Sequence, residues 1–305
     1  MNIVDIVVLV ACLGGLWFGA NLLVDSSVST ARKIGISELV IGLTIVSIGT
    51  SAPEFAVSVL AALKNHGNIS VGNVVGSNIF NLGFILGGVA LVRPISTSAS
   101  IVKRDGSVLI LTTFLLLLIL KDLYLAFWEG MILISLLILY ILYLFYTRET
   151  VSEDVSTGSF RWYTPLMLLI GLAVILLSSH FLVESASSIA RSLGLSEWVI
   201  GVTIVAMGTS TPELVTSLVA VLRGHHGLSA GNLVGSDIFN LLGVLGVAGV
   251  LQPMFVSQEA YGSIFLLCLM VITVVIMMRT GWKLSRFEGG ALVCMGLARW
   301  IMDFT

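Results

Sequence analysis

Two glutamates, Glu54 and Glu213, each end a Gly-Thr-Ser-x-Pro-Glu run set inside strongly apolar sequence. Ionisable groups at membrane depth are costly and by default mark an ion or substrate path. Ser47, Thr50, Ser51 and Glu54 are spaced i, i+3, i+4, i+7, so on a helix they share one face. Pro53 lacks an N–H and its ring opposes the carbonyl of Gly49, so the helix should break there and free carbonyls near Gly49 and Thr50. In a bilayer such carbonyls need another partner, and a cation is one. Ala206, Thr209, Ser210, Pro212 and Glu213 repeat the arrangement.

A second pair of stripes accompanies the first. Asn73, Ser77 and Asn81 recur at i+4 steps, as do Asn232, Ser236 and Asn240, with Gly72, Gly76, Gly231 and Gly235 beside them permitting close helix approach. Each single Ser, Thr or Asn could equally serve helix packing; the two glutamates at one register are harder to explain that way. The inventory is hard and oxygen-only, which suits Ca²⁺ or Na⁺. Two carboxylates balance one divalent ion, or hold two or more monovalent ions or protons, which is what exchange requires. His66, His225 and His226 fall in loop-like positions and His180 stands alone, which disfavours a transition metal. Asp237 stands where the first copy has Asn78. On an ideal helix it sits about 60° from Asn240 and about 100° from Ser236, so it is either a further carboxylate in the site or a flanking group bonded to a neighbour.

These residues belong to a duplication. Residues 37–87 and 196–246 align without a gap at a constant offset of 159, with 29 identities in 51 positions, too many for convergent packing patterns. The likeness begins earlier, at residues 23–38 and 182–197, and includes Asp25/Glu184 and Arg32/Arg191, read as interfacial anchors or salt bridges. Ser37 and Ser196 are expected N-caps, each followed by an acidic residue. Only 10% of the 305 residues are charged, against about a quarter in a soluble domain, so the chain is read as an integral membrane protein. No basic cluster suggests nucleic acid, and Cys12, Cys268 and Cys294 read as isolated, buried apolar residues. Residues 3–24 lack a basic leader segment and are read as a retained span.

Spans of about 20 apolar residues are expected at 3–24, 39–63, 70–92, 106–121 and 124–146, then at 163–183, 198–222, 229–250, 258–278 and 286–302. The polar stretch 147–162 is a linker. The fold class is thus an all-α polytopic membrane protein, ten transmembrane helices in two five-helix halves, 1–146 and 163–305. Five spans per half inverts the second half. With both termini outside the cell membrane, cytoplasmic segments hold eleven Lys and Arg and external ones four, a positive-inside bias. Inverted repeats with a midplane site typify secondary transporters. A cation channel is the alternative of another class. A hydrolase is disfavoured, since neither a nucleophile nor a phosphate-cradling loop is evident, and neither a cofactor nor a protein partner is implied; the lipid bilayer is the expected environment.

GTSAPE with GNVVGSNIFN, and GTSTPE with GNLVGSDIFN, resemble the paired repeats of the calcium/cation antiporter superfamily, and its prokaryotic sodium/calcium exchanger branch in particular, over almost the whole chain. The resemblance implies alternating access, with Na⁺ entry driving Ca²⁺ out. It implies Glu54 and Glu213 as main Ca²⁺ ligands, aided by backbone oxygens of Thr50 and Thr209. Sodium would use the same glutamates with Ser51, Ser77, Ser210 and Ser236 and the backbone at Ser47 and Ala206, and Asn81 and Asn240 would complete the central position. Some relatives, including potassium-dependent ones, carry aspartate where this chain has Asn240, so its absence argues against K⁺ co-transport. Proton-coupled exchangers share much of the motif, so a Ca²⁺/H⁺ antiporter is the alternative coupling. The short linker leaves no room for a large regulatory loop.

Overall fold

The computed structural model describes residues 3–147, 160–194, 200, 204 and 206–302, and these are helical apart from short turns and four two-residue strands. Helix α1 is Ile3–Ile34. A broken element follows: α2, Glu38–Thr50, and α3, Ala52–Leu63, bend by 51° at Ser51. Helix α4 is Gly67–Val92, α5 covers 100–119 and α6 is Phe127–Thr147. The second half gives α7, Thr164–Ser192; α8, Ala206–Thr209; α9, Thr211–Leu222; α10, His226–Leu251; α11, Gln258–Arg279; and α12, Arg286–Met302.

Among the described residues six helices are long and apolar enough to cross a membrane, or seven if α2 and α3 count as one bent span. The count is lower than ten for local reasons. The purely α-helical part of α5, Gly106–Ile119, is 14 residues because Ser100–Asp105 is π-helical, and α12 has 17 residues. Residues 195–199, 201–203 and 205, shortly before α9, lie outside the described set, including the expected N-cap Ser196. Its counterpart Ser37 does cap, accepting from Val40 N–H at 3.3 Å. Helix α1 runs ten residues past the expected end at 24, because Val24, Val28 and Ala31 keep one face buried through the polar stretch. Asp25, on that extension, pairs across the halves with Arg223. Asp105 is a larger departure. It stands one residue before the expected start of the fourth span, yet it is fully buried and held by Arg104 (2.7 and 3.0 Å) and Tyr140 Oη (2.9 Å). Cys12 and Cys268 are buried as expected; Cys294 is instead exposed.

Contacts between the halves respect the 159-residue offset. Strand β1 (Ile95–Ser96) pairs antiparallel with β4 (Lys283–Leu284), Ile95 opposite Leu284; β2 (Tyr124–Leu125) pairs with β3 (Met254–Phe255), Leu125 opposite Met254. Exchanging the halves carries one ribbon and its register onto the other. The same exchange relates two helix crossings at which backbones nearly touch. A Cβ at Gly87 would lie 2.8 Å from the Gly289 carbonyl, and one at Gly246 would lie 3.1 Å from that of Gly130. Small residues allow this approach, and dispersion rather than water exclusion holds such crossings in lipid.

Candidate ion-binding site

Ser51, the hinge residue between α2 and α3, has φ −80° and ψ 12°, and Pro53 follows within the first turn of α3. Ser210 before α9 repeats this with φ −90° and ψ 8°. Proline there costs no helix bond, because the first turn's N–H groups have no intrahelical acceptor. Each break therefore puts Glu54 or Glu213 at the start of a new helix, where the N-terminal dipole favours negative charge. Both glutamates are buried, at 1% and 0% exposure.

The two halves cross-link through these carboxylates. Ser210 Oγ donates to Glu54 Oε1 at 3.0 Å, and Ser51 Oγ donates to Glu213 Oε1 at 2.9 Å. Each glutamate is thus served by the hinge serine of the opposite half. The second oxygen of each, Oε2, is buried without a hydrogen-bond partner. A buried, unpaired acceptor costs about 1–3 kcal/mol and more when charged, so these oxygens are poised for a cation or a proton.

The stripes on α4 and α10 divide between support and site. Asn73 Nδ2 donates to Ser58 Oγ (2.9 Å) and the Glu54 carbonyl (3.3 Å); Asn232 Nδ2 donates to Ser217 Oγ (2.9 Å) and the Glu213 carbonyl (3.4 Å). These two asparagines fasten the helices bearing the glutamates. Thr50 Oγ1 lies 3.1 Å from Asn232 Oδ1 and 3.2 Å from the Ser47 carbonyl, which also accepts from Ser236 Oγ at 3.5 Å. Ser77 is buried on α4 one turn before Asn81. Ala206 and Thr209 bound α8, the short helix before the second break.

Asn81 and Asn240 each open a π-helical segment, Asn81–Leu86 and Asn240–Val244. Such segments shift the helical phase by one residue and often accompany functional sites. The segment at Asn81 packs on α9, which bears Glu213, and that at Asn240 packs on α3, which bears Glu54. Asn81 Nδ2 donates to Asp237 Oδ1 and Asn240 Nδ2 donates to Asn78 Oδ1, both at 3.0 Å; Asn78 Nδ2 donates to the Asp237 carbonyl, also at 3.0 Å. Asn81 Oδ1, Asn240 Oδ1 and Asp237 Oδ2 are buried and without partners. Spacing alone does not single out Asn78 as a site residue. Its fixed offset from Asp237, the position where one half carries a charge and the other does not, is the signal for it in the sequence.

The histidines contribute nothing here. His225 does sit in the turn before α10, but it is buried, with Nδ1 3.0 and 3.1 Å from the two carboxylate oxygens of Glu38. That pair joins the two halves.

A sequence profile of the family described as "Sodium/calcium exchanger protein" matches residues 4–146 and 163–295. The chain belongs to that family. Within it, the chain falls in the prokaryotic branch of the calcium/cation antiporters. It is 36% identical over 307 residues to "Putative antiporter CaxA" of Alkalimonas amylolytica, covering 96% of each chain. It is 30% identical over 353 residues to "Sodium/calcium exchanger MaX1" of Methanosarcina acetivorans, covering 100% of this chain and 99% of that one. Among solved structures, the sodium-calcium exchanger NCX_Mj soaked with zero Na⁺ and Ca²⁺ superposes with a TM-score of 0.88 at 28% identity, over 100% of both chains. The chain is accordingly a multi-pass, all-helical membrane transporter of the cation-antiporter class, and the family is one of exchangers rather than catalysts.

Proposed function

We propose that the protein exchanges Ca²⁺ for Na⁺ by alternating access, at one site near the bilayer midplane shared by two inverted five-helix repeats. The repeats are residues 1–146 and 163–305, joined by a cytoplasmic linker at 147–162, in a cell membrane with both termini outside. The two separate family matches support the division, and the exchange-related ribbons and helix crossings support the repeat. The orientation rests on the distribution of Lys and Arg.

The observation that carries the reading is the crossed Ser–Glu pairing with one oxygen of each glutamate left buried and unpartnered. Glu54 and Glu213 would balance Ca²⁺, with backbone oxygens at Thr50 and Thr209 filling a flexible oxygen shell. The hydroxyls of Ser51, Ser77, Ser210 and Ser236, with the backbone at Ser47 and Ala206, supply donor sets for several Na⁺ ions around the same carboxylates. Asn81 and Asn240 offer amide oxygens, and Asp237 lies directly behind Asn81. Because both cations need the same two glutamates, loading one expels the other, and that exclusion is the basis of coupling. Proton exchange would require the acids but not the surrounding oxygens.

Reconstituted protein tests this by ⁴⁵Ca²⁺ uptake into proteoliposomes. An outward Na⁺ gradient is expected to drive uptake, and a pH gradient without Na⁺ is not. Uptake that follows pH and ignores Na⁺ would assign Ca²⁺/H⁺ exchange, and steady flux with no counter-ion would assign a channel.

A further inference from the structure

The polarity of Asn81 and Asn240 is decided by what lies behind them. An asparagine amide presents oxygen at one end and two N–H donors at the other, and only its hydrogen-bond network says which end points where. Here the network ends in a group whose polarity is unambiguous. The main-chain carbonyl of Asp237 can only accept, so Asn78 must direct Nδ2 toward it. Asn78 Oδ1 then faces Asn240, which must answer with Nδ2 and is left with Oδ1 on its other side. On the opposite half the carboxylate of Asp237 takes Nδ2 of Asn81 directly, again leaving Oδ1 buried and unpartnered.

We propose that Asn78 and Asp237 are positioning residues that hold Asn240 and Asn81 with their amide oxygens, rather than their NH₂ groups, toward the transported cation. The proposal rests on the ion site described above and gives a function to the place where the two motifs differ in charge, Asn78 against Asp237. A cation attracts the oxygen end of an amide and repels the N–H end, so a flipped asparagine is not a weaker ligand but an opposing one. The two halves solve the same problem differently. Asn81 is fixed in one step by a carboxyl group, whereas Asn240 is fixed through a neutral relay, Asn78, anchored on backbone. Asp237 serves both, through its side chain to Asn81 and through its main chain to Asn78. Only the first role depends on the side chain.

The test is cation-dependent thermal stabilisation of the purified protein in detergent, titrated with Ca²⁺ and separately with Na⁺. Baseline stability without cation then reports folding, and the midpoint of the titration reports affinity. Asn78→Leu, of similar size and without polar atoms, is expected to shift the midpoint to roughly tenfold higher cation, the scale of one lost charge-assisted contact. The decisive arm repeats Asn78→Leu in an Asn240→Asp background. A carboxylate carries oxygen at both ends and has no wrong orientation, so Asn78→Leu is expected to cause no further shift there; a purely structural role would give the same loss in both backgrounds. Asp237→Leu should lower affinity similarly, while Asp237→Asn, which recreates the first-half residue and retains an acceptor for Asn81, should restore it to within about threefold. An unshifted midpoint in Asn78→Leu, or equal shifts in both backgrounds, overturns the proposal. Should Asn78→Leu not fold, equal affinities for Asp237→Leu and Asp237→Asn overturn it instead. Failure of the transport reading appears separately, as wild-type protein that binds cations with the expected variant pattern but shows no Na⁺-driven Ca²⁺ uptake.

Discussion

The same sequence motif meets two different environments in this molecule. Gly231 and Gly235 on α10 are buried under α2: a Cβ at Gly231 would lie 2.6 Å from the Leu39 carbonyl, and one at Gly235 would lie 2.6 Å from Leu43 Cα. Gly72 and Gly76, at the matching places on α4, are exposed, and a Cβ on either meets nothing within 4 Å. Around the glutamates, by contrast, the halves are nearly interchangeable, serine for serine and asparagine for asparagine. Among the described residues the chemistry is symmetric at the centre and the glycine stripes differ at the flanks; most residues matching α2 in the second half, 195–199, 201–203 and 205, lie outside the described set. Under the proposed alternating access, a site that stays put while the flanking helices exchange roles would have one flank sealed when the other is open.

The largest effect should come from the symmetric centre. Glu54→Gln and Glu213→Gln are each expected to abolish Ca²⁺ transport in proteoliposomes while the protein still elutes as a folded species. A neutral amide can neither balance the ion's charge nor present oxygen at both ends. Near-normal flux in either variant would break the equivalence of the halves.

The glycine stripes come next, and there the halves should respond differently. Gly235→Ala places a methyl against backbone and is expected to destabilise the protein by about 1–3 kcal/mol, lowering its thermal midpoint. Gly76→Ala has room in this conformation and should alter stability by no more than about 0.5 kcal/mol. If the opposite state seals that stripe, Gly76→Ala opposes that state alone. Turnover should then fall by roughly tenfold, the effect of about 1.4 kcal/mol of overpacking on one side of the equilibrium. Wild-type turnover in Gly76→Ala would mean that this flank never closes.

Much of the centre was legible in the sequence because its signals are local. The Thr-Ser-x-Pro-Glu run predicted the break, which falls at Ser51 and Ser210, and Ser37 was recognisable as a cap. What could not be read was pairing. Helical spacing puts Ser51 and Glu54 on one face but gives no hint that Ser51 serves Glu213 across the molecule. Nor did spacing predict that Asp237 would bond to Asn81 rather than merely lie near Asn240's face. Asp105 escaped because its partner Tyr140 is 35 residues away and its helix begins in a π-turn that hydropathy does not detect. The extension of α1 to Ile34 escaped for a related reason: polar side chains there are offset by a buried stripe that only the packed neighbours reveal.

The crossed serines come last. Ser51→Ala and Ser210→Ala each remove one hydrogen bond to a carboxylate and are expected to weaken apparent Ca²⁺ affinity by roughly tenfold. Because the two bonds are related by the exchange of halves, the two losses should agree within about threefold. Unequal losses in flux assays across a Ca²⁺ range would show that one half carries the ion and the other only supports it.

The central claim is that Ca²⁺ and Na⁺ compete for one pair of glutamates drawn from opposite halves. Calorimetric titration of the purified protein with Ca²⁺ at a series of Na⁺ concentrations tests it most directly. The apparent Kd for Ca²⁺ should rise steadily with Na⁺, more steeply than in proportion because several Na⁺ ions displace one Ca²⁺, and Glu54→Gln and Glu213→Gln should each remove the binding heat. A Ca²⁺ affinity that does not change with Na⁺ would contradict the shared site.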